Sequence, residues 1–548
     1  MIEVSDGEKR DGSLAREDGE HDRAVDQAVA ERVEHGSSPV AAMSSCARNL
    51  SEGFAGAVIA PLTTNSGIYD GTGAQSAPGD IVCHHRRDIM ADSTAQLARG
   101  WQPDRIREEA HRRDRWAVGR FGLSMILALA WVVFSIWLSL PWLSDLGGLT
   151  HPLAALFVLA FVAYVPGFMN AFLMASLVLR PHALRRTPEQ WPALSILIAA
   201  YNEEALIGET LRSIAALDYP GALQIMVLND GSTDGTAAAV RDAEALFAGS
   251  IGRDLLLVSE KQNRGKARVL NDGLALAAHD LVVTIDADTL LEKGCLVALV
   301  EHLHASSPET AAVAGAVLVG NQNDSWITRA QQWDYFHGIA AVKRMQGMYN
   351  GTLVAQGAFS IYRKAALVEA GGWPDTVGED IVLTWSLLRM GYKTGHAEDA
   401  VAWTHAPDTL RGLSNQRKRW ARGMIEALAI HKRLLVAPRL RTMFIWWNLL
   451  FVSIDLTFTF AFIPGLILAF LGIFWLAGPI TLLVLPLAAL WNVVIYRIQT
   501  RMLKRNNIDM EKSLRGFLLY AFIYPLLMQP VSVWGYLAEL TGGRKQWN

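Results

Sequence analysis

The sequence predicts an α/β domain, a mainly parallel sheet with helices on both faces, inserted between transmembrane helices. Three observations predict it. Of 548 residues, 51% are hydrophobic and only 19% charged, a balance unusual for a soluble chain. Apolar stretches of about twenty residues, the length that crosses a bilayer, stand on either side of a long polar region. Within that region short apolar runs alternate with helical patterns, the signature of strands and crossover helices.

Residues 1–110 are rich in Gly, Ser, Asp, Arg and Ala, lack the apolar core of a signal peptide and are expected to be a disordered N-terminal arm. Residues 111–186 hold two expected spans, Phe121 to Trp142 and Pro152 to Leu179. Residues 441–548 hold about three, Ile445 to Leu471, Trp475 to Tyr496 and Leu514 to Leu537. Arg112, Arg113, Arg115 and Arg120 flank the first span, Arg180, Arg185 and Arg186 follow the second, and Arg497, Arg501, Lys504 and Arg505 follow the fourth. Basic residues mark cytoplasmic ends, so the chain is expected to be multi-pass with residues 187–440 in the cytoplasm. Arg544 and Lys545 fit an external C-terminus poorly, which leaves a re-entrant piece or a break near Pro464 open.

A net charge of -3 gives no reason to expect nucleic acid as a partner, and Cys46, Cys83 and Cys295 are too scattered for a zinc site or a disulfide framework. Asp455 lies inside an apolar span, where an acid either faces a polar path or sits near the interface.

From Leu194 the runs LSILIAA, QIMVL, LLLV and LVVTI read as strands, with helices between them and one more from about Arg264. Ligands in such sheets sit beyond the carboxyl ends of the strands. Those ends carry Tyr201-Asn202-Glu203, then Asn229-Asp230-Gly231-Ser232-Thr233-Asp234-Gly235, then Asp286-Ala287-Asp288. Asp230 and Asp234 could simply cap helices; alternatively Asp230 hydrogen-bonds a base and ribose, with glycines allowing close backbone approach. Asp286 and Asp288, two apart, point to one side of a strand end, and a hard divalent cation, Mg²⁺ or Mn²⁺, would relieve their repulsion beside a diphosphate.

Asp380 opens the helical pattern DIVLTWSLL, where the helix dipole favours a charged carboxylate, although an ordinary capping role is also open. In SNQRKRWARG, helical spacing puts Gln416, Arg419 and Trp420 on one face. A guanidinium fork suits phosphate oxygens and an indole suits the C–H face of a sugar ring. Read alone, the same run is a basic helix on a membrane surface.

Taken together, Y-N-E, N-D-G-S-T-D-G, N-R-G-K-A-R-V-L-N, D-A-D, G-E-D and Q-R-K-R-W resemble processive family 2 glycosyltransferases with a GT-A nucleotide-sugar fold, above all poly-N-acetylglucosamine synthases. Hyaluronan, chitin and cellulose synthases are wider relatives. The resemblance runs from about Trp191 to the end. It implies that Tyr201, Glu203 and Asp230 hold uridine, that Lys266 reaches the diphosphate and that Asp286 and Asp288 hold the metal. Asp380, preceded by Glu379, would be the catalytic base. Gln416, Arg419 and Trp420 would close over diphosphate and acceptor, and Gln356, Gly357 and Glu379 would lie beside the acceptor sugar. Gly378 departs from the pattern, since relatives usually carry threonine before Glu-Asp, which leaves the turn before Asp380 less constrained.

The implied activity is polymerisation of a UDP-sugar, UDP-GlcNAc first, into a β-linked polysaccharide exported as it grows. A small membrane subunit and export machinery are implied partners. A cellulose- or hyaluronan-type synthase, a non-processive transferase acting on a lipid carrier, and an inactive sugar-sensing subunit are the competing readings.

Overall fold

In the computed structural model the described residues are 58–59, 103–180, 185–436, 439–474, 479–506, 508, 510 and 513–542. The expectation of disorder for 1–110 falls almost wholly outside them; the described part begins a helix at Pro103, inside the expected arm.

The sheet is built from β1 (Val58–Ile59), β2 (Leu194–Ala200), β3 (Leu223–Asn229), β4 (Arg253–Ser259), β5 (Leu281–Asp286), β6 (Thr289–Leu291), β7 (Thr310–Val319), β8 (Phe359–Arg363) and β9 (Lys393–Thr404). Their order is β1-β4-β3-β2-β5-β8-β7-β9-β6. Strands β4, β3, β2 and β5 run parallel, and β8 enters antiparallel between β5 and β7. The sheet is therefore mixed, with the expected parallel half at its amino-terminal side. Strand β2 shows no alternation, because helices cover both of its faces and nearly every residue of LSILIAA is buried. Ile196, Ile198, Ile225 and Val227 pack on one face, while Leu197, Met226 and Leu228 pack on the other.

One strong helical element was not anticipated. Residues 326–348 form a helix, capped by Ser325 and Thr328, with a π-turn at Asp334–Ala340. A second long helix, Leu410–Ile430, carries the Q-x-x-R-W residues and starts on the Thr409 hydroxyl, which accepts from the Gly412 N–H.

Among the described residues, four helices are long and apolar enough to cross a membrane: Arg115–Leu149, Pro152–Val178, Leu440–Phe470 and Leu514–Leu540. The remaining expected span, Trp475 to Tyr496, begins outside the described residues and overlaps the helix Pro479–Arg505, which continues nine residues beyond it. The break considered near Pro464 does not occur. A π-turn at Phe458–Phe462 precedes Pro464 and the helix continues, as it does through Ala160–Tyr164 before Pro166 and Leu519–Ile523 before Pro525. Proline removes an N–H and crowds the preceding turn, and a widened turn absorbs both effects. Arg544 and Lys545 lie outside the described residues. Charge ties the second apolar helix to the sheet: Arg180, just past its end, pairs with Glu398 of β9, as does Arg344 of the helix 326–348.

Candidate active site

The carboxyl ends of β2, β3 and β5 open into a cavity of about 620 Å³. At one end of β2, Asn202 takes a left-handed conformation (φ 55°), and its Oδ1 accepts from the Thr233 N–H at 2.9 Å, while the Ser232 hydroxyl accepts from the Asn202 N–H. The Y-N-E and N-D-G-S-T-D-G segments are thus one unit. Gly231 is obligatory here, since its φ is 68° and a Cβ would lie 2.5 Å from the backbone of Gln262.

The two aspartates of that unit divide the roles that the sequence left open. Asp234 braces the turn before the helix Thr236–Asp242, whose N-cap is Gly235, by accepting from the N–H groups of Thr236 and Glu204. Asp230, only 3% exposed, uses one oxygen to accept from Arg264 N–H at 2.6 Å and the other to accept from Gly265 N–H at 2.8 Å. Burial raises its pKa in spite of these bonds. Asp230 therefore anchors the loop that starts the Lys266 helix, while still lining the cavity with Tyr201 and Glu203.

Lys266 sits between two acids, 2.5 Å from Asp286 and 3.7 Å from Glu379. Burial opposes its charge, yet Asp286 and Glu379 hold the ammonium above the ordinary lysine value. Gly357 faces this pair, and a Cβ there would stand 2.9 Å from Nζ. Burial and the neighbouring Asp288 and Asp286 push Glu203 up to about 7. Burial and Asp286 likewise raise Asp288, whose Oδ1 accepts from the Thr289 and Thr404 hydroxyls at 3.2 Å. Glu203 feels the charges of Asp288 and Asp286, and the Lys266 ammonium lies against Asp286. That donor set fits a divalent cation shared with phosphate oxygens, and two carboxylates are a normal protein share for Mg²⁺. Among the described residues no group of three or more His, Cys, Asp or Glu could enclose a metal alone, so the remaining ligands fall to water and substrate.

Glu379 and Asp380 occupy the first turn of the helix Glu379–Arg389, whose N-cap is Gly378. Asp380 is therefore not the cap; its Oδ1 accepts from the Ile381 N–H at 2.7 Å and the side chain lines the cavity. Burial raises Glu379, with Lys266 opposing and Asp380 adding to the shift. Gly378 touches Gly423 of the Q-x-x-R-W helix, and a Cβ on either would meet the other's Cα at 2.7 Å. Nearby, Glu426 accepts from the Val377 N–H at 2.8 Å. The departure at Gly378 thus sits at a close crossing, and it fixes the turn before Asp380 rather than loosening it.

Gln416, Arg419 and Trp420 do share one helix face and all line the cavity. Gln416 leaves Oε1 buried without a protein partner, and the Trp420 indole is 39% exposed. Gln356 is less available than expected: Lys343 donates to its Oε1, and its Nε2 donates to the Gly315 carbonyl. Lys343 also donates to the Val354 carbonyl, and burial brings its pKa down to about 7. Lys343, Tyr335, Thr404, His405 and Asn448 line the cavity too, and none of them was singled out in the sequence. They come from elements without a local motif; Asn448 belongs to the third span itself. Asp455, two turns farther along the same span, is buried and accepts from the Tyr536 hydroxyl at 2.7 Å.

Residues 192–423 match the family model described as Glycosyltransferase like family 2. The chain is 32% identical over 252 residues to a poly-beta-1,6-N-acetyl-D-glucosamine synthase of Staphylococcus aureus, covering 45% of this chain and 59% of that protein. It is 33% identical over 241 residues to the protein of the same name in Staphylococcus epidermidis, covering 44% and 56%. The chain thus spans less than two thirds of the curated relatives it matches. Among solved structures it is similar to a mannosyltransferase of Pyrobaculum calidifontis in complex with GDP-Man and Mn2+, at a TM-score of 0.48 and 21% identity, covering 71% of this chain and 99% of that one. The resemblance to family 2 glycosyltransferases read from the motifs is upheld over the matched segment.

Proposed function

We propose that the protein is a membrane-embedded, processive, inverting glycosyltransferase that transfers a sugar from a UDP-sugar, UDP-GlcNAc first, to a growing β-linked polysaccharide and passes the product across the inner membrane. One observation carries this reading: Asp286, Asp288, Asp380, Gln416, Arg419 and Trp420, separated in sequence by up to 134 positions, line a single cavity that reaches Asn448 in a membrane helix.

Asp380 accepts the proton of the acceptor hydroxyl as that oxygen attacks the anomeric carbon. UDP departs from the opposite face, so an α-linked donor gives a β-linkage with no covalent enzyme intermediate. Asp288 and Asp286 would hold Mg²⁺ or Mn²⁺, which supplies Lewis-acid charge to the departing diphosphate. Lys266 keeps Asp286 and Glu379 from repelling the donor, and Arg419 faces phosphate with the unpartnered Gln416 Oε1 beside it to receive a hydroxyl. Trp420 presents its exposed indole to the acceptor ring. The names borne by the staphylococcal relatives support the aminosugar polymer as product.

The test is to supply membranes containing the protein with individual labelled UDP-sugars and digest the product with linkage-specific β-glycosidases. Long β-linked chains from UDP-GlcNAc are expected. A single sugar delivered to lipid, or no UDP release from any donor, refutes the reading.

A further inference from the structure

Trp420 is held from behind by Arg417. The Arg417 guanidinium lies 4.1 Å from the centre of the Trp420 ring, on a side chain that is itself largely buried and absent from the cavity wall. The same guanidinium stands 5.9 Å from the ring of Tyr335 and 5.6 Å from that of Tyr524. Arg417 Nη2 donates to Asp334 Oδ2 at 2.7 Å, and the Tyr524 hydroxyl donates to the same oxygen at 3.1 Å. Three helices distant in sequence therefore meet on one cation: Asp334 and Tyr335 from the π-turn of 326–348, Arg417 from Leu410–Ile430, and Tyr524 from Leu514–Leu540.

The last helix is seated on the Trp420 helix at a second place. Gly535 passes so close that a Cβ would meet the Lys418 carbonyl at 2.8 Å and the Ala421 Cβ at 2.7 Å, and Glu539 accepts from Arg422 at 2.9 Å. Leu413 packs with Tyr524 and Met528 farther back. Contacts advancing together from Leu413 to Arg422 and from Met528 to Glu539 make the last helix a lengthwise splint for the Q-x-x-R-W helix.

We propose that Arg417, with Asp334 and Tyr524, is a positioning group that fixes the Trp420 indole for the acceptor sugar, so that the C-terminal helix is part of the acceptor seat. This rests on the reading of Trp420 as the acceptor platform. A planar cation stacked on an indole sets the tilt of the ring, and its ion pair to Asp334 sets the position of the cation. Lysine would keep the charge and lose the plane.

The experiment uses the full chain in membranes, UDP-GlcNAc as donor and a short β-linked N-acetylglucosamine oligomer as acceptor. For Arg417→Lys and Tyr524→Phe, the acceptor KM is expected to rise, by at least about fivefold in Arg417→Lys and about twofold in Tyr524→Phe, with the donor KM unchanged and the polymer shortened. Unchanged acceptor KM and polymer length in Arg417→Lys and in Arg417→Met overturn the proposal. So does equal loss of donor and acceptor affinity in Tyr524→Phe, which would make the cluster a general structural pin. Trp420→Ala separates the two claims: a normal polymer from it refutes the platform itself, whereas a defective Trp420→Ala beside normal Arg417 variants refutes only the positioning role.

Discussion

The two ends of the cavity, the one proposed for the donor and the one proposed for the acceptor, are built on different principles. At the donor end, Tyr201, Glu203, Asp230, Asp286 and Asp288 stand on strand ends and the loops that leave them, and several side chains are spent on backbone: Asp230 on the Lys266 loop, Asn202 on the Ser232–Thr233 turn. At the acceptor end, Tyr335, Lys343, Trp420 and Asn448 come from three helices that meet only in the folded molecule. The donor end is a local device of a rigid sheet, and the acceptor end is a product of helix packing. Donor binding should therefore survive changes that ruin polymerisation, and each prediction below asks whether it does.

Trp420→Ala removes the exposed indole without touching the sheet. Polymer yield is expected to fall at least tenfold, a loss of roughly 1.4 kcal/mol or more, with UDP binding intact in a membrane titration. Gly423→Ala strikes the joint between the two ends, because its Cβ would sit 2.7 Å from the Gly378 Cα and neither partner is a flexible side chain. Relief must come from moving the Asp380 turn away from the helix, at about 1–3 kcal/mol, and turnover is expected to drop several-fold more than donor affinity. If both fall equally, the joint is not what separates the ends.

Gly357→Ala works at the donor end, because this glycine, expected beside the acceptor sugar, faces Lys266 and Asp286 instead. The new methyl would stand 2.9 Å from Lys266 Nζ, the mobile tip of a long side chain, so a shift of a few tenths of an ångström suffices. A rise of about two- to fivefold in donor KM is expected, with polymer length unchanged.

The smallest effect concerns pH and stability. Burial holds Lys343 at about 7 against an ordinary value of 10.5, so between these values the unfolded chain binds more protons than the folded one. Stability from this group is complete above about 10.5 and is lost as pH falls through 7. The parent is expected to gain melting temperature in detergent between pH 7 and 9, and Lys343→Met should flatten that rise. An identical pH slope in both proteins would mean that Lys343 is not buried as described.

This contrast also explains what could be read from the chain. Strand ends and their turns are contiguous, so Asp286-Ala287-Asp288 and the N-D-G-S-T-D-G turn announce themselves, and the helical spacing of Gln416, Arg419 and Trp420 follows from one period. Lys343 sits in VKRMQGMY with no motif around it, and its partner Gln356 looked available for sugar because nothing local reveals that Lys343 and the Gly315 carbonyl already hold it. Asp230 shows a milder version of the same limit: its place in the cavity was legible, while its two bonds to the loop at Arg264 and Gly265 depend on a return of the chain 34 residues later. Gly378 was read as a loosening, because its partner Gly423 lies in another helix.

Donor binding and proton removal are assigned to separate groups of one cavity, and the paired variants Asp380→Asn and Asp288→Asn separate them. Measured in membranes with UDP-GlcNAc and Mg²⁺ or Mn²⁺, Asp380→Asn is expected to lose about 10² to 10⁴ in turnover while binding UDP as the parent does. Asp288→Asn is expected to lose cation-dependent UDP binding. Parental turnover in Asp380→Asn, or UDP binding lost in Asp380→Asn and retained in Asp288→Asn, would contradict the account.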